Sequence, residues 1–180
     1  MQLFGKRKVT EAEAVFAFKR IVMSRVEESW PELKVHLAGP LIRAQPERLD
    51  NETSMVEFAF AAIALQAQLL NAKMPSDQVQ RVEQLFLSPS GDSELAKRAN
   101  EVVCFYDRAW KQALRSGESP VMAVADHLHE RLACATTVTF GDVTYAGASG
   151  VYGLSALLMR FGYNDWWNVL LSKFRLVPDK

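Results

Sequence analysis

Residues 58–70 read FAFAAIALQAQLL, an apolar run with no polar face. A helix of that kind is buried on all sides. Alanines at 59, 61, 62, 64 and 67 would let neighbouring helices approach closely. Ser54 and Glu57 form an S-x-x-E capping pattern, and Asn71 with Pro75 marks an end. The reading is a central helix over 54–73 around which the rest of the chain is organised.

Outward from that hub, the patterning is helical. Thr10 and Glu13 fit a capping box, and Val15, Phe18, Val22, Val26 and Trp30 follow at spacings of three and four. Lys19, Arg20 and Arg25 lie off that stripe. Pro31 is expected to stop this first helix, leaving 31–53 irregular. A shorter helix is expected over Ser76–Leu87. Ser93–Ser116 carries the clearest amphipathic stripe, with Ser93 as cap and Gly117 as stop. Ser119-Pro120 starts another helix, reaching about Ala133. A last helix begins near Asn164 or Asp165 and carries WWNVLLSKF.

Residues 136–145, TTVTFGDVTY, are the one segment that reads as β-structure. With Gly141-Asp142 as a type II′ turn, Phe140 faces Val143, Val138 faces Tyr145 and Thr139 faces Thr144. The predicted fold is therefore mainly α. It is a single-domain bundle of six to seven helices around the 54–73 helix, with one small hairpin and a flexible terminus over 1–9.

The chain has 180 residues, 49% hydrophobic and 23% charged. A chain of this length buries roughly 70% of its unfolded surface and needs neither metal nor disulfide to fold. Its 21 basic and 21 acidic residues balance, which argues against bulk electrostatic attraction to nucleic acid or an anionic membrane, though not against a local patch. The longest apolar run, Phe58–Leu65, is far short of the ~20 residues a membrane span needs. MQLFGKRK at the start lacks the apolar core of a secretory signal. Two cysteines, Cys104 and Cys134, form no CxxC pair and read as free thiols, so a cytoplasmic location is expected.

Several residue groups could carry chemistry. Asp126, His129 and Glu130 share a helix face at the spacing of metal ligands, against the simpler reading of a solvated polar face. Gly147–Gly153 (GASGVYG) could cradle a phosphate, but its GxxGxxG spacing favours a sharp turn followed by a close-packed helix. Ser149 resembles a nucleophile elbow but lacks the final glycine. The basic residues Lys6, Arg7 and Lys8 default to a solvated terminus.

The favoured function is a non-enzymatic binding or assembly module. It would self-associate through Val138, Phe140, Val143 and Tyr145 of the hairpin and through Trp166, Trp167, Leu170 and Phe174 of the last helix. Its partner is a second copy or another protein, with no cofactor expected. The alternatives are a metal-dependent enzyme or sensor at Asp126, His129 and Glu130, and a carrier of a small apolar ligand lined by Phe58, Phe60, Tyr106 and Trp110.

Overall fold

A computed structural model describes residues 6–69, 74–89, 91, 93–135, 137–140, 143–146, 148–162 and 166–179. In order the elements are β1 (Arg7–Thr10), α1 (Glu11–Ala38), α2 (Pro46–Leu49), α3 (Glu52–Leu69), α4 (Ser76–Phe86), α5 (Glu94–Ser116), α6 (Pro120–Arg131), β2 (Thr137–Phe140), β3 (Val143–Ala146), α7 (Ala148–Gly162), α8 (Trp166–Lys173) and β4 (Phe174–Val177). The fold is mainly α, as the patterning predicts.

α3 is the hub. Phe58, Ala59, Ala61, Ala62, Ile63 and Leu65 are all fully buried. Around them pack α1, α4, α5, α6 and α7. The alanines keep α3 thin, so five helices can surround one. Phe18 of α1 meets Phe86 of α4 edge-on, with ring centroids 5.5 Å apart.

Local signals fix several boundaries. The Thr10–Glu13 capping box closes in both directions, at 2.9 and 3.1 Å. Ser93 Oγ accepts from Ala96 N, and Gly117 ends α5 in the left-handed conformation at φ 76°.

Pro31 does not stop α1, which continues to Ala38. The apolar stripe runs on through Leu33 and Leu37, both buried, and Trp30 Nε1 donates to Leu49 O at 3.3 Å. Pro31 and Glu27, whose carbonyl loses its partner, both lie on the exposed side, where water can substitute. The segment expected to be irregular is therefore half helix. Ser54 is likewise not the cap of α3. The helix starts at Glu52, Asn51 Oδ1 accepts from Thr53 N, and Ser54 Oγ donates to Arg48 O.

β2 and β3 pair antiparallel in the predicted register: Val138 with Tyr145, Thr139 with Thr144 and Phe140 with Val143. The turn residues Gly141 and Asp142 lie outside the described residues. A second small sheet has no counterpart in the sequence reading. β1 and β4 pair in parallel, Arg7 with Phe174 through Thr10 with Val177. Residues 7–9, expected within a flexible terminus, are thus tied to β4. Val9 and Leu176 turn inward against the core. Phe174 begins a strand and does not extend α8.

The glycine-rich segment is helical from Ala148 onward, and Gly147, where the turn was expected to begin, lies outside the described residues. Gly150 and Gly153 serve packing. A Cβ on Gly150 would stand 2.6 Å from His129 Nε2, and one on Gly153 would stand 2.9 Å from Ile42 and Leu41 side-chain carbons.

Candidate functional site

Among the described residues, buried carboxylates are tied to cations. Glu11 at the start of α1 accepts from Arg81 Nε and Nη2 at 3.0 and 2.9 Å, and from Gln78 at 3.2 Å. Those bonds hold the Arg81 guanidinium above its usual range. Glu57 of α3 accepts from Tyr106 Oη at 3.0 Å and from Arg131. Burial, then the neighbouring Glu57 charge, drives the Tyr106 phenol far up. Asp107 and Glu83 both hold Lys111, and Gln68 donates to each. Burial pulls Lys111 down, but the two acids outweigh it and raise it overall. These three clusters brace α1 to α4, α3 to α5 and α6, and α3 to α4 and α5.

The proposed metal set is not assembled. Asp126 and Glu130 are exposed, and Glu130 lies 3.8 Å from His127. His129 is buried against Gly150, with no hydrogen-bond partner for Nε2 among the described residues. Burial lowers its pKa, against the opposing charges of Asp126 and Glu130. No group of three or more His, Cys, Asp or Glu among the described residues could hold a metal ion.

The residues expected to form a contact surface are only partly visible. The side chains of Val138, Phe140, Val143, Tyr145, Trp166 and Trp167 lie outside the described residues. Leu170 is half-buried against the core, and Phe174 is half-buried in β4. The cavity expected around Phe58, Phe60, Tyr106 and Trp110 does not form as such. Phe58 and Tyr106 are sealed in the core, and Trp110 is buried.

Phe60 instead floors a groove of about 390 Å³ between α1, α3 and α5. α1 supplies one wall through Phe16, Lys19, Arg20, Met23, Ser24 and Glu27, a flank turned away from its core stripe. α5 supplies the other through Ala96, Ala99, Asn100 and Val103. The two alanines leave the space that larger side chains would close. Phe16 is 48% exposed at the rim, with the Arg20 guanidinium 5.8 Å from its ring centroid.

The polar groups of this groove gather where α4 ends. Lys19 Nζ donates to Leu85 O at 3.3 Å and Ser88 O at 2.9 Å. No carboxylate among the described residues pairs with it. Burial brings its pKa down to about 8, with the Cys104 charge opposing. Cys104 Sγ donates to Leu87 O at 3.7 Å and accepts from Asn100 Nδ2 at 3.6 Å. Asn100 Oδ1 is buried and has no partner among the described residues.

A larger depression of about 600 Å³ lies between the end of α1 and α7, over Val35, His36, Leu41, Ile42, Leu157 and Arg160. None of its lining polar atoms is a buried orphan. The groove over Phe60 is therefore chemically the better defined. The sequence reading missed it. The available signal was the set Ala96, Ala99 and Asn100, small or polar residues at helical spacing beside an apolar stripe.

No family model, no curated protein and no solved structure matches this chain. Among the described residues, no helix is long and apolar enough to cross a membrane.

Proposed function

We propose that this protein binds a small, largely apolar molecule in the groove between α1, α3 and α5. The observation that carries the reading is the combination of an apolar floor at Phe60, flanked by Met23 and Val103, with small wall residues at Ala96 and Ala99. The volume of about 390 Å³ falls within the ordinary range for small-molecule sites. The test is titration with N-phenyl-1-naphthylamine, a neutral probe that fluoresces in apolar surroundings. Saturable binding at one site is expected. Ala99→Trp, which fills the groove from its half-exposed wall, should abolish it while leaving the thermal midpoint within a few degrees. Binding that survives Ala99→Trp would count against the groove.

A second reading is self-assembly through the hairpin and α8. It is favoured by the β2–β3 sheet, which ends at two strands among the described residues. An isolated two-stranded sheet is marginal in water and offers edges to a symmetry mate. Light scattering on the full chain should then report a dimer. A strict monomer at all accessible concentrations would remove this reading.

A further inference from the structure

We propose that the ligand of the groove is an apolar monocarboxylic acid carrying a hydroxyl or amide N–H beside its carboxylate, with the acid held by Lys19 and the donor by Asn100. This rests on the groove being a ligand site and specifies what the site selects.

Two unfinished polar groups carry the inference. Lys19 Nζ has three protons and spends two on Leu85 O and Ser88 O. It is half-buried, and no acidic side chain among the described residues answers its charge. A cation withdrawn from water without a counter-ion is unfavourable, and an anion arriving from the groove corrects that. The one acid on the wall, Glu27, stands eight residues further along α1, about 12 Å away by helical rise. It therefore does not neutralise Lys19, and it sets the opposite polarity at the far end.

Asn100 supplies the second requirement. Its amide nitrogen is committed to Cys104 Sγ, while Oδ1 is buried without a donor among the described residues. An unsatisfied buried acceptor is rare in folded proteins and is satisfied by whatever brings an N–H or O–H. Both groups converge on one turn. Lys19 bonds its residues 85 and 88, and Asn100 reaches Leu87 through Cys104. Lys19 and the Asn100 amide therefore both line the groove beside the end of α4, and an O–H or N–H next to the bound carboxylate is the donor placed to meet Oδ1. Its body runs over Met23, Phe60 and Val103.

Calorimetric titration of the full chain with β-hydroxydecanoate, decanoate and decanol tests this. A hydrogen-bonded charge contact predicts that decanoate binds roughly tenfold or more tightly than decanol near neutral pH. The added hydroxyl should tighten binding by a further few-fold. As pH rises through about 8, where Lys19 gives up its proton, both acids should weaken while decanol does not change. The other charged or titratable groups nearby are Arg20 and Glu27 on the α1 wall and Cys104 on α5. Lys19→Met should bring decanoate down to decanol. The comparison of ligands on the unaltered protein stands even if that variant folds poorly. Equal affinity for decanoate and decanol would overturn the assignment to Lys19 while leaving the groove as a binding site. No advantage for the hydroxy acid would overturn the role given to Asn100. Failure of all three to bind would overturn the groove itself.

Discussion

Gly150→Val is expected to destabilise the fold by about 3 kcal/mol, the upper part of the range for overpacking a well-packed interior. Glycine inside a helix is ordinarily a weakness, and replacing it with alanine gains up to about 1 kcal/mol, less in a first turn such as the one Gly150 occupies in α7. Here the trend reverses, because α7 crosses α6 at the point where His129 is buried. Even a single Cβ would stand 2.6 Å from His129 Nε2 and 3.0 Å from Cδ2. The ring is only 4% exposed, and Ile42 O stands 3.4 Å from the same Cβ position on another side. In a chain of this size the midpoint should fall by roughly 6–12 °C, at about 2–4 °C per kcal/mol. Pairing Gly150→Val with His129→Ala should recover part of the loss, with a coupling of about 1–3 kcal/mol by thermal denaturation. Strict additivity would mean that the two residues do not meet. The same contact sets an acid limit. Burial lowers the pKa of His129 below its ordinary 6.5, so the unfolded chain takes up this proton at a higher pH than the folded chain. The contribution of neutral His129 is therefore complete above about pH 6.5 and drains away as pH falls below it. His129→Met should flatten that part of the stability profile.

The parts of the fold legible in the sequence are those set by short-range periodicity. FAFAAIALQAQLL reads as a surrounded helix because no rotation of it exposes a polar face. The hairpin register follows from the turn and the alternation together: a two-residue Gly141-Asp142 turn sets Phe140 opposite Val143, and that pairing gathers Val138, Phe140, Val143 and Tyr145 on one face. Pro31 was misleading because its chemistry is local while the outcome was decided elsewhere. Leu33 and Leu37 continue the stripe of Val26 and Trp30, and their burial outweighs one missing hydrogen bond on a wet face. The β1–β4 pair was not legible at all. Four-residue segments such as RKVT and FRLV carry little pattern, and their pairing spans more than 160 positions. The groove was hidden for a related reason. Lys19 and Arg20 read only as charges off a stripe, and nothing in α1 says that Asn100 and Ala99 of α5 will stand across from them. Gly150 and His129 were each noticed separately, for a phosphate and for a metal. Their shared reason for being there is contact with one another.

Arg131→Met should be the more damaging way of breaking the buried ion pair that joins α3 to α6. Glu57 is 6% exposed, in the most enclosed helix of the fold, whereas the Arg131 side chain is 41% exposed. Removing the arginine leaves a carboxylate in the core with, among the described residues, only the Tyr106 hydroxyl, 3.0 Å away, to answer it. Loss of one partner from a buried pair costs about 3–5 kcal/mol, and the open guanidinium side places this one near 3. Arg131 also rests over the Phe105 ring at 5.1 Å, a contact that methionine replaces only in part. Removing the acid has a different consequence. In Glu57→Leu the arginine turns to water, and the remaining cost is the unpaired Tyr106 hydroxyl, about 1–3 kcal/mol. Adding Tyr106→Phe removes that group too. Glu57→Leu with Tyr106→Phe should therefore be more stable than Arg131→Met alone, although it discards more native contacts. Urea denaturation of the three variants gives the order directly. If Arg131→Met lost under 1 kcal/mol, or less than Glu57→Leu, the brace would be solvated and the carboxylate at the hub would need another explanation.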